Sequence, residues 1–99
     1  MLTINKTQEG SKLAVMLEGR LDTTTAPDLE KALGESFDGV TELVMDFEKL
    51  DYISSAGLRV LLSAQKVMNK QGSMRVIHVN GAIMEILEVT GFTDILTIE

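Results

Sequence analysis

Two adjacent hydroxyls, Ser54 and Ser55, stand where a strand-like run gives way to an amphipathic helical one: Asp51-Tyr52-Ile53-Ser54-Ser55-Ala56-Gly57-Leu58-Arg59-Val60-Leu61-Leu62. A helix start leaves backbone N–H groups without intrahelical acceptors and carries about half a positive charge. A serine oxygen accepts from those donors as a cap. The same place welcomes an anion, including a phosphate esterified to the serine itself. The two hydroxyls therefore read either as a plain cap or as a modification switch, and residue type alone leaves both open.

Other chemistry is thinly supplied. Cysteine is absent, which removes disulfides, a thiol nucleophile and thiolate metal sites. The one histidine, His78, lies in an apolar strand pattern and reads as a core or edge residue. A Ser-His-Asp arrangement would need that same histidine, and no G-x-S-x-G elbow surrounds either serine. Neither a GxxxxGK[ST] phosphate loop nor a GxGxxG fingerprint occurs. Asp46 and Asp51 flank an expected strand end, as aspartates do in phospho-acceptor receivers, but the acidic cluster and late lysine of such receivers are missing. No catalytic residue, metal site or cofactor is expected.

At 99 residues the chain makes one domain, residues 1–99. A chain of this size buries roughly 60–65% of its unfolded surface, enough to fold without staples. The net charge of −6 argues against sequence-independent binding of nucleic acid or anionic lipid. Apolar runs such as Leu13–Leu17 fall far short of the ~20 residues of a spanning helix, so no membrane insertion is expected. The start, Met1-Leu2-Thr3-Ile4-Asn5-Lys6, lacks the build of a secretory signal. The expectation is a cytoplasmic protein that meets other proteins.

Periodicity places the elements that would hold the serines. Leu2, Ile4 and Lys6 alternate with polar neighbours as a strand, Glu9-Gly10-Ser11 turns, and Lys12 to Glu18 forms a hairpin partner. Thr25, Pro27 and Asp28 read as a capped helix start, with Leu29, Ala32, Leu33 and Phe37 on one face and Gly39 as the stop. Glu42 to Phe47 is an apolar strand of the kind covered on both faces. After the serines, Leu58, Leu61, Leu62, Gln65 and Met68 share a helix face that Val60, Ala64 and Val67 widen. Arg59, Ser63, Lys66 and Lys70 make a polar stripe, either solvated or a docking edge for an acidic partner. Gln71-Gly72 stops this helix. Met74 to Val79 is a strand, Gly81 to Val89 a helix closed by Thr90-Gly91-Phe92, and Ile95 to Ile98 a last strand. Met16, Met45, Met68 and Met74 fall at core positions, while Met84, beside Glu85 and Glu88, suggests an exposed interface. Strands alternating with helices imply parallel pairing: an α/β fold with a mixed, mostly parallel sheet, an N-terminal hairpin and about three main helices.

Over its whole length the chain resembles a stand-alone STAS domain, the family of bacterial anti-sigma-factor antagonists. The likeness rests on Leu17-Glu18-Gly19-Arg20-Leu21-Asp22, Val44-Met45-Asp46-Phe47, the signature Tyr52-Ile53-Ser54-Ser55-Ala56-Gly57-Leu58, and Thr90-Gly91-Phe92. The resemblance implies a STAS fold and a serine phosphorylated by a partner that is both anti-sigma factor and serine kinase, of the histidine-kinase-like ATPase type. A serine phosphatase would reverse the mark. The family serine commonly follows an aspartate and sits two before a glycine. Gly57 then assigns that position to Ser55, with Ser54 as runner-up. Ser54 stands where the aspartate would be, and Ala56 where a second Ser or Thr is common. Asp22 matches an acidic position after the second strand, with Thr23 and Thr24 nearby. The implied docking surface comprises Asp22, Thr23, Thr24, Ser54, Ala56, Gly57 and Arg59.

Two other readings stay on the page. One is a constitutive, unphosphorylated STAS scaffold subunit in a lipid-transport or stress-signalling assembly. The other is a nucleotide-binding module. Nothing in the sequence demands a dimer.

Overall fold

Leu13, Val15 and Leu17 alternate with Ala14 and Met16, so the strand carrying them sends one row of side chains into the core and the other to the opposite face. In the computed structural model, which describes residues 2–99, this is β2 (Lys12–Leu21), joined through a tight turn at Gly10 to β1 (Leu2–Glu9) as an antiparallel hairpin. The remaining elements are α1 (Ala26–Gly34), β3 (Glu42–Ile53), α2 (Ser55–Gln71), β4 (Ser73–Ile77) and α3 (Gly81–Val89). The sheet order is β1-β2-β3-β4, with β2–β3 and β3–β4 parallel. This is the mixed, mostly parallel α/β architecture that the alternation implies.

One core joins the elements. Leu13, Val15 and Leu17 of β2 and Leu43, Met45 and Phe47 of β3 share it with Leu29 and Leu33 of α1, Leu61 and Met68 of α2, and Ile83 and Leu87 of α3. All three helices thus lie on one side of the sheet. The other side carries no helix among the described residues, and Ala14, Met16, Asp46, Arg75 and Ile77 on it are half-buried. The expectation of cover on both faces of β3 is therefore corrected. Val44 is buried there among its sheet neighbours, outside the main core. Met16 belongs to this open face and is half-buried rather than core, as is Met84 on α3, expected exposed.

Several boundaries move for identifiable reasons. β2 continues to Leu21 and β3 to Ile53, because two register shifts carry the pairing onward past Met16↔Asp46 to Glu18↔Lys49, and from Gly19↔Leu50 to Arg20↔Tyr52. Each shift inserts one extra residue in β3, so its core residues fall at Phe47, Leu50 and Ile53 and the period of two is lost. Gly19 has φ 105°, a conformation that side chains disfavour, at the second shift. Asp46 thus lies inside a strand, not at its end. α1 stops at Gly34, before Phe37 and Gly39, and Thr25 makes no side-chain cap bond to it. Its hydroxyl instead donates to the Arg20 carbonyl at 2.8 Å and accepts from the Asp22 N–H at 2.8 Å.

The C-terminal part departs furthest. β4 ends at Ile77, and His78 is exposed with φ 58°, neither core nor edge strand. Its Nδ1 lies 2.9 Å from Asp46 Oδ1, which also accepts from the Glu48 N–H. Phe92–Asp94 form a short 3-10 turn, and the expected last strand reduces to one parallel bridge, Val76↔Ile98. Asn80 caps α3 by accepting from the Ile83 N–H and donates to the Leu50 carbonyl, pinning that helix to β3.

Candidate functional site

The end of β3 delivers the two serines to different tasks. Ser54 is the N-cap of α2: its backbone is extended, its N–H donates to the Leu21 carbonyl at 2.8 Å, and its Oγ accepts from the Gly57 N–H at 3.4 Å. Ser55 is the first helical residue and is exposed. Among the described residues its hydroxyl has no hydrogen-bond partner.

Gly57 is what lets α2 start this close to the sheet. A Cβ there would stand 2.7 Å from Leu21 Cγ and 2.9 Å from Ile53 Cγ1, both buried side chains. Leu21 closes β2 and Ile53 closes β3, so the close approach aligns the helix start with both strand ends. Ala56, half-buried, and exposed Arg59 occupy the next outward positions.

The loop after β2 is organised around one carboxylate. Asp22 Oδ1 accepts from the Thr24 hydroxyl at 2.7 Å, the Thr24 N–H at 3.0 Å and the Thr25 N–H at 3.2 Å. The Thr24 hydroxyl is the main reason that the Asp22 carboxyl is held below its ordinary value; partial burial opposes it, and the two N–H groups add to it. Thr23 and Thr24 are exposed. Since Leu21 accepts from Ser54, the Asp22–Thr24 loop and the start of α2 are fixed at one end of the sheet. Asp22, Thr23, Thr24, Ser54, Ser55, Ala56, Gly57 and Arg59 thus fall in two neighbouring segments; of these Gly57 is buried.

Two residues escaped the sequence reading. Arg20 stacks its guanidinium 4.4 Å over the Tyr52 ring, and its Nε lies 3.8 Å from Asp22 Oδ2. They pair across β2 and β3 beyond the register shifts. An Arg and a Tyr in sequence carry no sign of being cross-strand neighbours unless β3 is seen to run to Ile53. The signal for that was the spacing Phe47, Leu50, Ile53, which reads as irregular until bulges are allowed.

A four-stranded mixed sheet, helices on one side, and an exposed serine beside a preformed acidic loop define a small α/β module built to present one end of its sheet. The chain belongs to the STAS domain family, whose model matches residues 3–99. Among relatives, it is 36% identical over 88 residues to BtrV of Bordetella bronchiseptica, a candidate anti-sigma factor antagonist, covering 87% of this chain and 76% of that protein. The solved structure of an anti-sigma factor antagonist from Mycobacterium paratuberculosis shares the fold with a TM-score of 0.89 at 24% identity, covering 99% of this chain and 85% of that one. The Bacillus antagonist SpoIIAA, at 14% identity, has been solved unphosphorylated (TM-score 0.79, 98% and 87% coverage) and phosphorylated (TM-score 0.77, 98% and 91% coverage). Among the described residues no helix is long and apolar enough to cross a membrane.

Proposed function

We propose that this protein is an anti-sigma factor antagonist that docks an anti-sigma factor through the Ser55 end of the sheet and is released when Ser55 is phosphorylated. The observation that carries the reading is the contrast between the two serines: Ser54 is engaged as the cap, while Ser55 is exposed and its hydroxyl has no partner among the described residues. Membership of the STAS family and likeness to antagonists support it. The kinase would be the anti-sigma factor itself, of the histidine-kinase-like ATPase type, and a serine phosphatase would reset the switch.

The energetics favour release without unfolding. A phosphoserine carries about −1.5 to −2 charge. Within the isolated domain, the free N–H groups of the first α2 turn would help hold it by up to about 2 kcal/mol. Inside a closed interface the same dianion would be desolvated and poorly paired, costing several kcal/mol. Each ~1.4 kcal/mol is tenfold in affinity. The partner leaves and the fold stays.

The test is incubation with ATP and each recombinant anti-sigma kinase of the source genome, followed by tryptic mapping. Cleavage after Lys49 and Arg59 isolates Leu50–Arg59, whose hydroxyls are Tyr52, Ser54 and Ser55. Phosphate on Ser55 is expected. Phosphate on Ser54 would reassign the site, and an unmodified peptide with every kinase would point instead to a constitutive scaffold.

A further inference from the structure

The two edges of the sheet are finished differently. Beyond β4, Val76 donates its N–H to the Thr97 carbonyl and accepts from the Glu99 N–H, so the last residues cover that edge at Val76. At the other edge lies β1, Leu2-Thr3-Ile4-Asn5-Lys6-Thr7-Gln8-Glu9. One side of its backbone meets β2, and the other meets no strand among the described residues.

A lone edge offers a row of unpaired N–H and C=O groups, which monomeric proteins blunt with a short strand, a proline, a bulge or a guarding lysine. β1 has eight residues, no proline and unbroken register with β2. Its one lysine is diverted. Lys6 stands opposite Val15, on the helix side of the sheet, and its Nζ donates to Ser36 Oγ at 3.0 Å and to the Ala32 carbonyl at 3.4 Å. Charge also suits this strand to a like molecule: the chain carries −6, yet Leu2–Glu9 holds one Lys and one Glu and is neutral.

We infer that β1 pairs antiparallel with β1 of a second copy, about a two-fold axis perpendicular to the sheet, making one continuous eight-stranded sheet. Such an axis keeps the helices of both copies on one side, so opposed residues share a face and lie an even number of positions apart. With Asn5 on the axis, every residue from Leu2 to Gln8 is paired: Thr3 opposes Thr7 of the second copy, and Ile4 opposes its Lys6. An axis at Lys6 would set two lysines against each other, which destabilises. An axis at Ile4 or Thr7 leaves fewer pairs. Antiparallel pairing points the two Ser55 ends in opposite directions, so each stays open to its own partner. The inference does not rest on what Ser55 does.

A single strand pair is smaller than the ~1,200–2,000 Å² of a stable interface, so a dissociation constant of about 10–500 µM is expected. Sedimentation equilibrium of the full chain, taken up to about 1 mM, should show the mass rising from one chain toward two. Thr3, Asn5 and Thr7 are exposed on the open face, so changes there leave the core intact. T3E/T7E, which opposes like charges twice across the axis, is expected to weaken the dimer by about tenfold, and T3K/T7E, which opposes unlike charges twice, to tighten it several-fold. The chain has no cysteine, so N5C can form only an intermolecular disulfide. Opposed Cα atoms in an antiparallel pair lie about 4.5 or 5.5 Å apart, both within disulfide reach. N5C should therefore oxidise to a covalent dimer faster than E88C, a cysteine at an exposed position on α3. A wild type that stays monomeric would overturn the inference and leave the edge to a strand of another protein. A dimer that both charge variants leave unchanged, or N5C that cross-links no faster than E88C, would place the contact elsewhere and overturn it as well.

Discussion

At the first turn of α2 the same side chain, repeated, serves two ends. Ser54 accepts from the Gly57 N–H, and Ser55 is exposed with no partner for its hydroxyl among the described residues. Modifying Ser55 therefore leaves the cap in place, whereas modifying Ser54 would remove it. Arg59 gives this position a further property. Residues four apart on a helix are neighbours, and an anion N-terminal to a cation is the favourable order. A phosphate on Ser55 should then draw the Arg59 guanidinium toward it and hold its second proton less tightly. With phosphoserine incorporated at position 55, a phosphorus NMR titration should give a lower second pKa in the wild-type background than with R59Q. An exposed pair of about 0.3–0.5 kcal/mol corresponds to roughly 0.2–0.4 of a pH unit. Equal values in the two backgrounds would show that Arg59 does not reach the phosphate.

At the scale of elements, the site depends on how closely α2 approaches the ends of β2 and β3. Gly57 permits that approach, since a methyl group there would press on Leu21 and Ile53, which are fully buried and have nowhere to move. G57A should cost about 1–3 kcal/mol, read as a lower urea midpoint at unchanged slope, and should lower affinity for the partner by tilting the helix start. A G57A protein as stable as wild type would mean that α2 shifts freely and that the serine is not rigidly held. The sequence displayed this arrangement unevenly. The hairpin, the cores of α1, α2 and α3, and the strand-to-helix junction at Ser54 were legible because their apolar periods are regular. The second half of β3 was not, because two bulges replace alternation by the spacing Phe47, Leu50, Ile53. With it went the Arg20–Tyr52 stack, which depends on that extension. The open sheet face was hidden for a different reason: Val44 and Ile77 make the strands look apolar on both sides, although no helix covers one of them. Thr25 was legible as a cap by type, but the Arg20 carbonyl and Asp22 N–H, made neighbours by the loop, hold its hydroxyl.

For the molecule as a whole, the pH dependence of stability near neutrality should trace to one contact. His78 is the only histidine, and histidine is the side chain whose ordinary titration falls between pH 5 and 8. Its Nδ1 meets Asp46 Oδ1 at 2.9 Å, joining the loop before α3 to the bulged part of β3. The hydrogen bond to Asp46, then the charge of Asp46, raises the His78 pKa above its ordinary 6.5; partial desolvation opposes this, and Glu48 adds a smaller push in the same direction. A raised folded-state pKa means that the native protein binds the proton more tightly than the unfolded chain. The contribution is thus fully present below about pH 6.5 and is lost as pH rises through the folded-state value. Thermal unfolding followed across pH 5.5–8.5 should show a melting temperature that declines over that interval. D46N, which keeps the size of the side chain and drops its charge, should flatten the decline and return the His78 proton resonance to an ordinary titration. A wild-type melting temperature that rose with pH through this interval would contradict a protonated His78 held by Asp46, because the raised pKa allows only the opposite slope.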